Sequence, residues 1–60
     1  MTLIQLMSAM QNEMYTAHEE MEKFMNGNKS AGTRVRKHMQ TIKGAAQSVR
    51  KEVQEMKNAQ

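Results

Sequence analysis

The residues of this chain that are best suited to a chemical function, by their type and spacing, are mainly its cations. Five of them recur every seven residues, which places them along one side of a helix: Lys29, Arg36, Lys43, Arg50 and Lys57. Arg34, Lys37 and Lys51 add charge close to this line. A line of cations suits a nucleic-acid backbone, because phosphate binding is driven by charge and counterion release and needs no particular base sequence. We therefore predict that these eight cations contact the phosphates of double-stranded DNA.

The same spacing has a structural explanation. Cations beside a coiled-coil seam can cover apolar surface with their stems and pair with acids of the facing helix. The first half of the chain offers four acids for this: Glu13, Glu19, Glu20 and Glu22. The helix edge expected to face the cations instead carries Ile4, Gln11, His18 and Met25. We expect this pairing to be incomplete.

The stretch GNKSAGTRVRK, from Gly27 to Lys37, contains two glycines and several cations, as a nucleotide-binding loop would. A P-loop requires Lys and then Ser or Thr directly after the second glycine, and a strand before the first. Here Gly32 is followed by Thr33 and Arg34, and the preceding residues are helical in pattern. The stretch instead predicts a helix N-terminus, whose free backbone amides could hold one phosphate of a polymer.

Other catalytic and metal-binding chemistry is poorly supported. The segment HEEME begins like a zincin helix, but Glu22 stands where the second histidine is required. His18 and His38 are expected to be surface or seam-edge residues. A chain this short cannot enclose a nucleophile, a base and an orienting group in a buried pocket. We expect no enzyme activity, no metal, no cofactor and no small-molecule substrate.

Composition narrows the fold class. The chain has 60 residues, with eight methionines, one tyrosine, one phenylalanine, no proline and no cysteine. This composition is typical of helices, and so short a chain buries little core by itself. The net charge of +3 is unevenly distributed, since acids dominate residues 1–25 and cations dominate residues 26–60. Such segregation favours a basic surface attached to an element that serves packing.

Two helices are predicted from apolar residues that recur at alternating steps of three and four. The first helix spans about 3–25, follows a Thr2–Gln5 capping box, and has the seam Leu3, Met7, Met10, Met14, Ala17, Met21 and Phe24. The second spans about 29–58, with Asn28 as its N-cap and the seam Gly32, Val35, Met39, Ile42, Ala46, Val49, Val53 and Met56. Residues 26–28 are the predicted turn.

This pattern predicts an all-α fold, with one domain over residues 1–60. A turn of about three residues between two long helices requires an antiparallel, coiled-coil-like hairpin. A lone hairpin would leave the flanks of its seam wet, so we expect it to dimerise into a four-helix bundle. Packing of the methionines within a single hairpin is the alternative. The N-terminal apolar stretch is too short to span a membrane, and we expect no signal peptide.

The segments GNKSAGTRVRK and IKGAAQSVRKEVQEMK resemble the chlamydial linker-histone-like nucleoid proteins and their bacterial relatives. The shared residues are Gly27–Lys29, Ala31–Lys37 and Arg50–Glu52. The resemblance implies a helical, histone-like DNA-binding protein that associates with and condenses a bacterial or viral genome, and is cytoplasmic and nucleoid-associated. The matching residues cover roughly the second half of the chain, whereas the first helix matches only in character. The resemblance is to the helical domain, without the Lys/Ala-rich tail of the chlamydial members. Without that tail, we expect weak binding by a single chain and a dependence on homo-oligomers.

One alternative belongs to another functional class. A helical hairpin can be an assembly module that oligomerises through its seam and selects a protein partner through its charges. Salt separates the two hypotheses, because nucleic-acid binding weakens steeply with ionic strength and apolar assembly does not. Peripheral binding of the second helix to anionic membranes is a third hypothesis, although aromatic anchors are lacking.

Overall fold

The computed structural model describes residues 1–59, and within this range it contains two helices and no strand. Helix α1 spans Leu3–Met25, and helix α2 spans Lys29–Ala59. The helices pack against each other along a rod that measures 50 × 15 × 14 Å. The prediction of an all-α hairpin is confirmed, whereas the four-helix bundle stays a prediction.

Helix α1 begins with the capping box that the sequence indicates. The Gln5 backbone amide donates to Thr2 Oγ1 at 3.1 Å, and the Thr2 amide donates to Gln5 Oε1 at 3.0 Å. These two bonds satisfy amides that have no partner within the helix. The start of α1 is therefore fixed by its own side chains.

The turn between the helices is a Schellman motif. The Gly27 amide donates to the Phe24 carbonyl, and the Asn28 amide donates to the Lys23 carbonyl, each at 3.0 Å. Gly27 has a φ of +104°, which favours glycine because a Cβ is strained there. Asn28 then caps α2, since its Oδ1 accepts from the Ala31 amide at 3.3 Å. The turn reverses the chain within three residues.

Within residues 1–59 the buried core is small and consists of Ala17 on α1 and Ala31 and Val35 on α2. Half-buried residues extend this contact along the rod: Leu3, Leu6, Met10, Glu13, Glu20, Gly32, His38, Ile42, Ala45, Ala46 and Val49. The small side chains of Ala31 and Ala45 suit close approach of the helices. The packing face therefore includes polar positions, Glu13, Glu20 and His38, that lie outside the predicted seams.

The predicted seams are only partly correct, because each helix is rotated relative to them. Met7, Met14 and Met21 of α1 remain 42–52% exposed, and Met39 of α2 is 39% exposed. These four methionines lie on one side of the predicted seams. The residues on the other side of the seams pack between the two helices. A single pair of helices is too narrow to cover an apolar stripe of this width.

Helix α2 is longer than α1, with 31 residues against 23. Its last ten described residues, 50–59, are all exposed. Val53 and Met56, which continue the apolar pattern, are 42% and 56% exposed. The C-terminal third of α2 therefore extends beyond the hairpin contact. In residues 1–59, neither helix is long and apolar enough to cross a membrane.

Candidate nucleic-acid interface

The five cations that recur every seven residues all lie on α2, and all five side chains are exposed. We call them the cation row: Lys29, Arg36, Lys43, Arg50 and Lys57. Seven residues fall about 20° short of two full turns, so the row winds slowly around a straight helix. Its central members, Arg36, Lys43 and Arg50, differ in direction by only about 40° and lie about 10.5 Å apart along the axis. These three form its straightest part.

The cation row has no acidic partner within residues 1–59. Every ion pair in this part of the chain involves other side chains, namely His18, Lys23, Arg34 and His38 with glutamates of α1. Lys37 and Lys51, also predicted to bind DNA, are likewise exposed and outside these pairs. Each follows a member of the row by one residue, so it lies about 100° further around the helix. They widen the basic surface toward the outer face of α2.

Arg34 differs from the other seven predicted site residues because it holds the two helices together. Its Nε donates to Glu20 Oε2 at 2.6 Å, and Lys23 Nζ lies 3.4 Å from Glu20 Oε1. The Glu20 side chain is only 12% exposed. The hydrogen bond from Arg34, with a smaller contribution from Lys23, lowers the pKa of Glu20 below its ordinary value. The structure therefore places Arg34 in a cross-helix ion pair, apart from the row.

A second polar pair joins the helices on the same side. His38 Nδ1 contacts Glu13 Oε2, and both side chains are about one-quarter exposed. Glu13 and Glu20 are one heptad apart on α1, so both pairs lie along one edge of the helix–helix contact. We call this the paired edge. It uses the two acids of α1 that point toward α2.

The opposite edge of the contact, the open edge, is bordered by methionines and the cation row. Near the turn, Met21 and Phe24 of α1 line a groove together with Lys29, Gly32 and Arg36 of α2. Met14 and Met7 lie one and two heptads before Met21, on the same flank of α1. Because the helices are antiparallel, these steps lead along α2 away from the turn toward Lys43, whereas Arg50 and Lys57 lie in the part of α2 beyond the hairpin contact. The open edge therefore carries a methionine row, Met7, Met14 and Met21, beside the cation row.

Sequence reasoning missed both the paired edge and the position of the methionine row. A sequence signal for the paired edge is the spacing of charges: Glu13 and Glu20 are seven residues apart on α1, and their partners Arg34 and His38 are four residues apart on α2. The expected facing edge of Ile4, Gln11, His18 and Met25 was therefore placed too far around α1. The prediction that acids of α1 would not fully pair with the cations remains correct, since the cation row has no acidic partner in the described part of the chain.

The metal-like segment HEEME is part of an exposed helix surface. His18 Nε2 lies 3.3 Å from Glu22 Oε1, and both side chains are about 70% exposed. No cluster of three or more histidine and acidic side chains suited to a metal occurs within residues 1–59.

The chain matches the model of one known protein family. No significant match was found among curated proteins or among solved structures. The family model described as "Histone H1-like protein Hc1" matches residues 4–59, which include nearly all of α1, the turn and α2. The chain therefore belongs to the histone H1-like protein Hc1 family.

Proposed function

We propose that this chain is a histone-like, nucleoid-associated protein that binds double-stranded DNA without sequence preference, through backbone phosphates. The observation that carries the proposal is the cation row, whose members are exposed and outside the ion pairs of residues 1–59. Membership of the histone H1-like Hc1 family supports the same function. The proposed contacts are Lys29, Arg36, Lys43, Arg50 and Lys57, with Lys37 and Lys51 at their side.

The chemistry of the row favours phosphates over base edges. Its residues are long, flexible cations on one helix. Gln54, a side-chain amide beside them, is held by donating to Asn58 of the same helix. Gln40 and Gln47 alternate with the cations, but both are exposed and neither is held by a side-chain hydrogen bond. Specific base contacts require held bidentate geometry, whereas phosphate contacts require only charge within reach.

The N-terminus of α2 adds a further phosphate contact near the turn. The first amides of a helix lack partners inside the helix and attract anions. Lys29 is the first residue of α2, and Arg36 borders the same groove. Asn28 accepts from the Ala31 amide, so the donors proposed at this end of the row are the Lys29 and Ser30 amides, together with two cations.

Self-association belongs to the proposal because one hairpin offers few phosphate contacts. Linking two weak sites in one particle raises the effective affinity without any new type of contact. A homodimer or higher homo-oligomer would bind the chromosome more tightly than a single chain and could condense it. In this proposal the protein acts as a structural component of the nucleoid.

The test is a gel-shift titration of the purified protein with random-sequence duplex DNA at several salt concentrations. We expect binding to every duplex, with log K falling linearly against log salt by about 0.9 for each phosphate contacted. Light scattering on the free protein at the same concentrations reports its assembly. A protein that assembles at all salt concentrations but shows no salt-dependent DNA binding would instead be an assembly module for a protein partner.

A further inference from the structure

Gly44 is a glycine in the middle of α2 that the hairpin itself does not explain. Gly27 has a positive φ and Gly32 lies against the Phe24 ring, so both have a role in the turn or in the packing. A Cβ on Gly44 would meet no atom within 4 Å, although glycine is one of the poorest helix formers. Glycine also occurs where a backbone must come close to a ligand. Since no contact within residues 1–59 requires a glycine here, its use points to a molecule outside the chain.

Gly44 lies on the side of α2 that faces directly away from α1. It follows the buried Val35 by nine residues, which is two and a half helical turns. Beside it, Thr41 Oγ1 donates to the Lys37 carbonyl at 3.3 Å. Ser48 Oγ donates to the Gly44 carbonyl, also at 3.3 Å. Both hydroxyls are turned onto the helix backbone, so the surface of α2 is low at Gly44 and a ligand can reach its backbone.

Two lysines stand at equal distances before and after Gly44. Lys37 precedes it by seven residues and Lys51 follows it by seven, so the three residues lie along one line of α2, which we call the second line. This line lies about 100° around the helix from the cation row. Both lysines are exposed and outside the ion pairs of residues 1–59. Because α2 contains no acid between Lys29 and Lys51, its outer face carries two lines of positive charge.

Two lines of cations on one helix match the two strands that border the major groove of DNA. That groove is about 12 Å wide, and an α-helix with its side chains is about 10–12 Å across, so one helix fits between the two strands. The minor groove, at about 6 Å, is too narrow for a helix. With the outer face of α2 directed inward, the cation row and the second line point to opposite walls of the groove, and α1 lies outside it.

We propose that α2 lies in the major groove of the duplex, with the cation row along the phosphates of one strand and Lys37 and Lys51 on the other strand, which passes closest to the helix at Gly44. This inference rests on the proposed function, because it takes double-stranded DNA as the ligand, and it adds the groove, the face of α2 and the second strand. Gln40 and Gln47 lie between the two lines, over the groove floor. Their side chains are not held by hydrogen bonds, so they adapt to any base pair and binding stays independent of sequence.

The first test replaces Gly44 by alanine and by glutamine. Both are better helix formers than glycine, so both variants should melt at a higher temperature when followed by circular dichroism. We expect duplex affinity in gel-shift titrations to change in the opposite direction. The loss should be slight with alanine and about tenfold with glutamine, whose side chain is forced into a closed contact. An affinity that is unchanged or improved in Gly44→Gln contradicts the close approach of the strand.

The matched control is Ser8→Gln on α1. Ser8 is exposed and precedes the buried Ala17 by nine residues, so it faces away from α2 as Gly44 faces away from α1. We expect its duplex affinity to equal that of the wild type. Sedimentation of the free proteins should give both glutamine variants the wild-type mass. A changed mass in Gly44→Gln alone would place Gly44 in a contact between copies and contradict the inference.

The groove is tested with two modified duplexes and an unmodified duplex of the same sequence. One carries glucosylated 5-hydroxymethylcytosine, whose added group fills the major groove, and the other carries N2-alkylguanine, whose added group fills the minor groove. Neither group is charged, so the attraction to phosphates is nearly the same in all three. We expect the first duplex to bind at least about tenfold more weakly than the unmodified one, because extra atoms must enter a closed contact. The second should bind as tightly as the unmodified one.

The results separate this inference from the proposed function. Equal binding to all three duplexes, with affinity falling as salt rises, overturns the placement of α2 in the major groove and leaves phosphate binding in place. Weaker binding to the N2-alkylguanine duplex alone places the protein in the minor groove and likewise overturns the inference. If no duplex is bound in a salt-dependent way, the proposed function fails and this inference fails with it.

Discussion

The aromatic ring of Phe24 lies against the backbone of Gly32, so closely that no other residue fits at that position without movement. A Cβ placed on Gly32 would lie 2.8 Å from both Cδ1 and Cε1 of Phe24. The contact joins the last turn of α1 to the first turns of α2, beside the buried Ala31. It explains a glycine near the start of a long helix, where glycine costs about 1 kcal/mol relative to alanine.

Gly32→Ala and Gly44→Ala should therefore have different effects on stability. Both glycines are in α2, but a Cβ on Gly44 meets no atom within 4 Å. Gly44→Ala should stabilise the hairpin by about 0.5–1 kcal/mol through helix propensity. In Gly32→Ala the same gain is opposed by displacement of the Phe24 ring, so we expect no net gain. Thermal unfolding followed by circular dichroism measures both.

The double variant Phe24→Ala/Gly32→Ala tests whether the Phe24 ring is the reason that Gly32→Ala brings no gain in stability. With the ring removed, alanine at position 32 should be more favourable than glycine, by about the gain at position 44. If Gly32→Ala stabilises the protein as much as Gly44→Ala in the presence of Phe24, the close contact does not limit this position.

Arg34 and Arg36 are two residues apart and should have different roles. Arg34→Gln removes the partner of Glu20, so the melting temperature should fall while the salt dependence of DNA binding stays nearly the same. Arg36→Gln should leave the melting temperature nearly unchanged and lower the salt slope by about 0.9, for one lost phosphate contact. Circular dichroism and gel-shift titration on both variants measure the two effects. The same slope in both variants would show that the ion pair does not separate Arg34 from the row.

Removal of the three central cations should weaken binding to all DNA sequences alike. The variant Arg36→Gln/Lys43→Gln/Arg50→Gln keeps a good helix former at each position and should retain its helicity. We expect the salt slope to fall by up to about 3 per chain, at about 0.9 for each contact. Filter binding with several unrelated duplexes at a series of salt concentrations measures this.

The control for that variant is Gln40→Ala/Gln47→Ala/Gln54→Ala. These glutamines each follow a cation by four residues and lie beside the row, so the control perturbs the same surface without removing charge. It should leave the slope unchanged. An equal loss of affinity in both variants would mean that the row does not follow phosphates.

The Glu20 carboxylate should make hairpin stability depend on acid pH. Its pKa is lowered in the folded state, first by the hydrogen bond from Arg34. A carboxyl whose folded pKa lies below its unfolded pKa contributes stability above the unfolded value and loses it as pH falls through the folded value. Glu20→Gln should therefore lower the melting temperature at neutral pH and have less effect at pH values below the folded pKa. Melting curves from neutral pH into that acid range measure this, and a Glu20→Gln effect that is independent of pH would contradict the assignment.

The sequence was sufficient to predict the helices, because helix ends are specified by local chemistry. The Thr2–Gln5 capping box, Gly27 and Asn28 each act within a few residues of their own position, and the structure confirms all three. The cation row can also be predicted from sequence, since residues seven apart lie on nearly the same side of any straight helix.

The rotation of each helix about its own axis could not be obtained in this way. The apolar pattern defines a stripe that includes Met14 and Met21, but one partner helix covers only part of it. Which part is covered depends on contacts between distant residues, such as Glu20 with Arg34 and Phe24 with Gly32. For the same reason the ion pair of Arg34 with Glu20 could not be predicted, since it appears only when α1 is placed beside α2.

The projection of α2 beyond α1 has a consequence for order along the chain. Residues 50–59 gain little from side-chain burial, and a short helix held mainly by its backbone hydrogen bonds opens easily in water. Amide hydrogens there should exchange far faster than those around Val35. Lys57 thus occupies the most readily melted turns of the molecule, so a phosphate that it binds must also order the backbone beneath it, and part of the binding free energy at this end is used in completing the helix.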